Sequence, residues 1–455
     1  MQHTPRSTVS HLQNMDSAPT YLAHIAARTY YHVRQLTTRS RGLFSTRTRQ
    51  IGLFLACAFL LLLWVDPRLY HSLGPKDVLS LVPVPAPSSQ LVKQLDGLNA
   101  TLFEHYRSHG RSLPEGVFPY QALTRAQQTR YKLLSSDTGG LFLFTTLIRQ
   151  VQDQIPDLLA ALTVVIEALG PQRVAFSFLE GPSDDLTPTV FNDVLQPLLL
   201  SLGVPSQRIR IITDSPAIDF HNANRIEVLA DLRNEALQPL WQEPYLGENV
   251  RAVVFFNDVY LKAEHVLEML YMHQVNGAGM TAAWDWYKRE PAYYYDIWVG
   301  RTVSFSLDDG LTSLFALANV RIQHLFQIDT GDLFYPIPNA WWSPSEDLFP
   351  DSPQTLAAFQ ALEPFQVFCG WNGMAVLDPK PFLPPYNIRF RRSDPSKAEC
   401  AASECGLICS DYWREGFGRI QVVPSVQASP FGHAHTMLFQ VAESYFHRLF
   451  PLSPI

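Results

Sequence analysis

From about Gly140 onward, short apolar runs rich in β-branched and aromatic residues alternate with longer segments of helical periodicity, and this alternation narrows the choice of fold more than any other feature. Gly140–Thr146, Val174–Leu179, Arg208–Thr213, Val250–Phe256 and Met280–Trp284 have the length and composition of strands. Between them, Asp153–Leu169, Pro188–Leu202, Asn224–Leu240 and Ala263–Val275 read as helices, the first two stopped by Gly170-Pro171 and Gly203-Val204-Pro205. Such an order predicts right-handed βαβ units and an α/β fold whose mainly parallel sheet carries helices on both faces. The fourth run, V-R-A-V-V-F-F-N-D, reads as a buried central strand that stops abruptly at Asn257-Asp258. Ligands of open α/β sheets bind beyond the carboxyl ends of the strands. A carboxylate there can hold a hard divalent cation that bridges phosphates. A strand-ending turn, in which Asn and Asp bond their own backbone, explains the same two residues.

Charge divides the chain. Residues 1–50 hold seven Arg and one acid, Asp16, which leaves 28 basic and 41 acidic residues after them and argues against a nucleic-acid partner. The uncharged run Ile51–Val65 follows. At 1.5 Å per residue it spans only ~22 Å. That is short for a bilayer core, but fifty residues are too long for an ordinary leader and no A-x-A-like site follows, so a signal-anchor is preferred to a cleaved peptide. Thinner early-secretory membranes tolerate short spans, and the basic tail sets the N-terminus in the cytoplasm. The expected division is therefore a tail (1–50), an anchor (51–65), a Pro-rich stem (66–135), a luminal domain (136–430) and a C-terminal extension (431–455). Within the stem, V-P-V-P-A-P-S-S is an extended spacer, and Gln90–Tyr106 has the periodicity of a helix able to dock on the body. Asn99-Ala-Thr is a glycosylation sequon in that stem. Four luminal cysteines, Cys369, Cys400, Cys405 and Cys409, permit two disulfides in any of three pairings.

No phosphate-binding P-loop and no G-x-G-x-x-G follows the first strand. Acids and hydroxyls stand after the second strand instead: Glu180, Ser183, Asp185 and Thr187, suited to a base or ribose, although a helix cap before Pro188 would use one of them. The element E-G-P-S-D-D-L-T resembles the E-S-x-S-x-D-x-T form of glycosyltransferase family 69, the fungal α-1,3-mannosyltransferases and capsule-associated proteins. N-R-I-x-x-L-A-x-x-R-N (from Asn224), F-F-N-D-V, A-W-D-W, Y-D-I-W-V-G-R (from Tyr295), C-G-W-N-G and V-V-P-S-V follow in the order of that family, over residues 140–428.

The resemblance implies a GT-A-like fold and a type II Golgi membrane enzyme that moves mannose from GDP-mannose to a glycan acceptor, with retention and with Mn²⁺ or Mg²⁺. By position it makes Asp258 the metal ligand with Asn257 beside it, turns Glu180, Ser183 and Asp185 toward the nucleoside, and sets Arg233 near the donor, where a structural ion pair is an equal alternative. Where the family's first strand ends in an Asn-rich turn, this chain has Thr146–Val151, and Gly181-Pro182 follows Glu180. These departures keep open a non-catalytic glycan-binding or capsule-assembly factor of the same fold.

Seven aromatics crowd Trp284–Trp298, interleaved with Asp285 and Asp296. Pyranose faces pack on such rings and carboxylates accept sugar hydroxyls, whereas the plainer reading gives the rings to the core. Asp285 is the preferred catalytic carboxylate and Asp296 the second. Trp371 and Asn372, in the tight Cys369–Gly373 turn, are candidate contacts to the nucleotide sugar. His433 and His435 read as a solvated loop before they read as metal ligands.

Overall fold

A computed structural model describes residues 89–111, 113, 122–135, 139–219, 221–242, 245–289, 292–294, 299–303, 348–349, 352–397, 399 and 402–428. The tail, the proposed anchor, Asp296, Cys400, His433 and His435 lie outside these residues. No helix among the described residues is long and apolar enough to cross a membrane.

The fold is mixed α/β. Its strands are β1 (Leu141–Ile148), β2 (Val174–Glu180), β3 (Ile209–Ile212), β4 (Val250–Phe256), β5 (Met280–Arg289), β6 (Ala292–Tyr294), β7 (Phe365–Val367), β8 (Met374–Leu377) and β9 (Ile420–Ala428). The described helices are α1 (Ser89–Ser108), α2 (Arg125–Ser135), α3 (Ile155–Leu169), α4 (Thr187–Ser201, with Phe191–Leu195 in π geometry), α5 (Arg225–Ala236), α6 (Ala263–Asn276), α7 (Pro353–Gln360) and α8 (Glu404–Arg414). The sheet order is β3-β2-β1-β4-β8-β5-β9-β7, with β6 paired to β5.

The first four strands are parallel, as the βαβ pattern requires. Beyond β4 antiparallel pairings join the parallel ones. β8 enters antiparallel between β4 and β5, so those two strands are not neighbours. β5 and β9 are parallel again, and β7 closes the edge antiparallel to β9. The register of β5 against β9 slips between Ala282 and Trp284, where β9 carries Pro424, a residue that cannot donate to a ladder.

One apolar face of the sheet, through Phe144, Phe176, Phe178 and Val254, is covered by α1, α2, α3, α4 and α6. The other, through Leu143, Val253, Phe255 and Trp284, is covered by α5, α7 and α8. Strand alternation makes the two sets possible from the same runs. α1 and α2, expected in the stem, put Leu102, Tyr106, Tyr131 and Leu134 into the first of these cores. His105 on α1 lies 3.1 Å from Asp193, and Arg130 on α2 grips Glu268 of α6 through two bonds of 2.6 and 2.5 Å. The Asn99 sequon falls in the middle of α1, with Asn99 half-buried.

Candidate active site

At the carboxyl end of β4 the chain is tied down on three sides. Thr146 Oγ1 donates to the Phe256 carbonyl (2.6 Å), Asn257 N donates to the Gly373 carbonyl (2.7 Å), and Gln154 Nε2 donates to the Asp258 carbonyl (3.1 Å). With its backbone fixed, Asp258 presents an exposed carboxylate. The protein mass around it raises its pKa above the ordinary value, and the charges of Arg225 and Arg233 act against that rise.

A cleft of about 300 Å³ opens here, lined by Leu147 of β1, Asn257 and Asp258 after β4, Asp285 of β5, Trp371 and Asn372 before β8, Arg225 and Arg233 of α5, and Ser403 and Glu404 at the start of α8. The structure thus gathers Asp258, Asp285, Asn257, Arg233, Trp371 and Asn372 from four separate stretches of sequence. Asp285 is 2% exposed at the cleft floor. Gly373 sits over it with φ +57°, where a Cβ would come within 3.0 Å of Asp285 Oδ2. Glycine is required there by conformation and by space. The Trp371 indole N–H and the Asn372 amide are enclosed and have no acceptor among the described residues. Enclosed donors of this kind can be met by an oxygen of bound water or of a ligand.

Arg233 is almost fully buried. Its Nε donates to Glu404 Oε1 (3.1 Å), and its guanidinium lies over the rings of Phe255, Trp371 and Phe390 at 4.9, 5.1 and 5.7 Å. Arg233 therefore forms a structural ion pair and also lines the cleft. Its neighbour Asn234 exchanges two hydrogen bonds with the Phe390 backbone, at 2.8 and 2.9 Å, which fixes the ring that packs against Trp371.

The residues after β2 are differently employed. Ser183 Oγ accepts from Gln150 N (2.8 Å), Asp185 Oδ2 accepts from Gln152 N (3.2 Å), and Thr187 Oγ1 accepts from Val151 N (3.0 Å). They hold the turn after β1, where Gln150 adopts the left-handed conformation at φ 55°. The unusual Thr146–Val151 segment is thus a built turn, with Ser183 and Asp185 as its fasteners. Glu180 is 1% exposed at the end of β2, and neither carboxylate oxygen accepts a hydrogen bond of ordinary geometry among the described residues. Burial raises its pKa, countered by the nearby Ser183 hydroxyl and Arg149.

Of the aromatic cluster, Trp284 and Tyr294 are core residues, with ring centroids 4.5 Å apart and Trp284 equally close to Phe359. Cys369 and Cys409 form a disulfide that ties the Trp371-Asn372 turn to α8. Cys405 is buried with its Sγ 3.7 Å from Glu404 Oε1.

Glu404 and Arg225 were not singled out by the sequence. Ser403, which caps α8 by accepting from Cys405 N, marks a helix start there, but nothing in the sequence links that start to α5.

Compared with known proteins, residues 141–411 match the family model described as cryptococcal mannosyltransferase 1. The alpha-1,3-mannosyltransferase CMT1 of Cryptococcus neoformans var. neoformans serotype D is 47% identical over 385 residues, covering 83% of this chain and 76% of that protein. Among solved structures, residues 1–349 of Staphylococcus aureus TarS align over 69% of this chain and 72% of theirs, at 12% identity and a TM-score of 0.32, too slight a likeness to carry an argument. With residues 141–411, more than half its length, matched by the family model, the chain belongs to the cryptococcal mannosyltransferase 1 family.

Proposed function

We propose that this protein is a retaining α-1,3-mannosyltransferase of GT-A architecture that takes mannose from GDP-mannose and transfers it to a hydroxyl of a capsule or cell-wall glycan. One observation carries the reading. The cleft at the carboxyl edge of the sheet brings Asp258, Asp285 and the unsatisfied donors of Trp371 and Asn372 into a single space of about 300 Å³. Membership of a mannosyltransferase family supports the sugar.

Among the described residues no three His, Cys, Asp or Glu side chains converge as a metal cage. A cation held by one or two carboxylates and completed by phosphate oxygens and water needs no such cage, and the exposed Asp258 carboxylate in the cleft fits that donor set. Bound Mn²⁺ or Mg²⁺ would neutralise charge on the departing diphosphate. Asp258 would hold the ion, with Asn257 beside it. Trp371 N–H and the Asn372 amide would donate to sugar or phosphate oxygens, and Arg233, kept in place by Glu404, would add positive charge to the same wall. Asp285, walled in by Gly373, would face the reacting sugar. Glu180 would meet the nucleoside, while Ser183 and Asp185 shape the turn beside it. In a retaining transfer the leaving phosphate can itself take the acceptor proton, so no strong base is needed. The enzyme would be anchored through residues 51–65 in the Golgi membrane, with the catalytic domain in the lumen.

The test is calorimetry of GDP, UDP and GDP-mannose with and without Mn²⁺, on the wild type and on Asp258→Asn. Manganese-dependent GDP binding, lost in Asp258→Asn, is the expected result. A folded wild type that binds no nucleotide with any metal would end the transferase reading.

A further inference from the structure

The carboxyl-edge cleft is not the largest cavity among the described residues. A space of about 780 Å³ lies at the opposite edge of the sheet, where β4 begins and β8 ends. Two tyrosines line it that are unusually open for their size, Tyr245 at 45% and Tyr386 at 42% exposed. Both rings nevertheless rest against neighbours. A Cβ on Gly247 would collide with the Tyr245 ring, and Tyr386 packs edge-on to Phe417, centroids 4.9 Å apart at 88°. Polar groups stand between the aromatics: Arg251, Lys380, the Asp378 carboxylate, and Gln274, whose Oε1 is enclosed without a donor among the described residues. Open rings beside charged and amide groups form a surface for pyranoses, whose C–H faces pack on aromatics and whose hydroxyls both donate and accept.

We infer that this cavity is a second glycan-binding site, one that holds a distant part of a long acceptor while its end is mannosylated in the carboxyl-edge cleft. The topology sets the distance. β4 leads from Val250, in the cavity, to Asn257 just past its end, in the cleft, and the chain between Ala278 and Asp285 joins the same two places. Seven strand residues span roughly 23 Å. An octasaccharide can cross that distance around the molecule and a disaccharide cannot. The identity of the occupant rests on the transferase reading; the cavity and its rings do not.

The experiment pairs chain length with ring removal. Transfer to a disaccharide and to an octasaccharide of mannose is measured with the full chain, for the wild type, Tyr245→Ala, Tyr386→Ala and Tyr386→Trp. The wild type should show a lower KM for the octasaccharide. Either alanine variant should raise that KM about tenfold, the loss expected for one well-placed aromatic contact. The KM for the disaccharide and kcat should stay within about twofold, and Tyr386→Trp, which keeps a stacking face, should restore the long-acceptor KM. Equal KM values for both lengths in the wild type, or a parallel shift for both in the alanine variants, would overturn the inference and leave the transferase intact. If no acceptor is mannosylated, direct calorimetry of the octasaccharide decides it. Binding weakened by Tyr386→Ala supports the site, and no binding, or binding unaffected by either variant, refutes it.

Discussion

Arg233 and Glu404 stand 171 residues apart in sequence and meet at a single buried contact in the wall of the cleft. A buried charge that loses its partner costs far more than an intact pair contributes, so Glu404→Gln should destabilise the protein by about 3 kcal/mol or more. Thermal unfolding of Glu404→Gln should show this. Arg233→Met combined with Glu404→Leu should recover most of the loss, because neither charge is then stranded, yet bind nucleotide more weakly. At this scale the sequence was legible where a pattern broke. Asn257-Asp258 stood out because an apolar strand ended on them, and Trp371-Asn372 because two glycines framed them. Glu404 offered no such break. Its importance comes from packing against a helix far away in the chain, which no local spacing records. Ser183 and Asp185 show the converse: a motif visible in the sequence whose side chains proved to hold the neighbouring turn.

Among elements, the disulfide joins the Cys369 turn to α8 across 40 residues of chain. Closing a loop of that length restricts the unfolded ensemble, and Cys409→Ala should cost roughly 2–4 kcal/mol. The same substitution should raise the KM for the nucleotide sugar, since Trp371 and Glu404 ride on the two linked elements. Denaturant unfolding and steady-state kinetics check the two halves of this prediction separately. Helices and strands between Leu141 and Trp284 fall within a few residues of their expected places because caps and periodicity mark them locally. Asn224, for example, accepts from both Ile226 N and Glu227 N at the start of α5. The place of β8 in the sheet was illegible for the opposite reason. Four residues long, it earns its position only through two partners distant in sequence.

For the molecule as a whole, the body begins well before the first strand. α1 and α2 bury Leu102, Tyr106, Tyr131 and Leu134. A fragment of residues 136–455 would leave the matching surface of α3, α4 and α6 bare. It should be insoluble or molten, while residues 87–455 should yield a folded protein; expression of the two fragments with near-ultraviolet circular dichroism tells them apart. A Pro-rich composition before residue 90 obscured this boundary, because a docked helix and a free stem share the same amphipathic pattern until a partner face is known.

The antiparallel insertion of β8 also bears on how the enzyme is made. Asp258 follows β4 and Asp285 lies on β5, and β8, the strand that joins these two, is complete only at residue 377. Until then the edges that β4 and β5 offer to β8 are unpaired, a state prone to pairing with the wrong neighbour. The candidate cleft is therefore assembled late in synthesis, and the interval before it is when a folding helper would have something to protect.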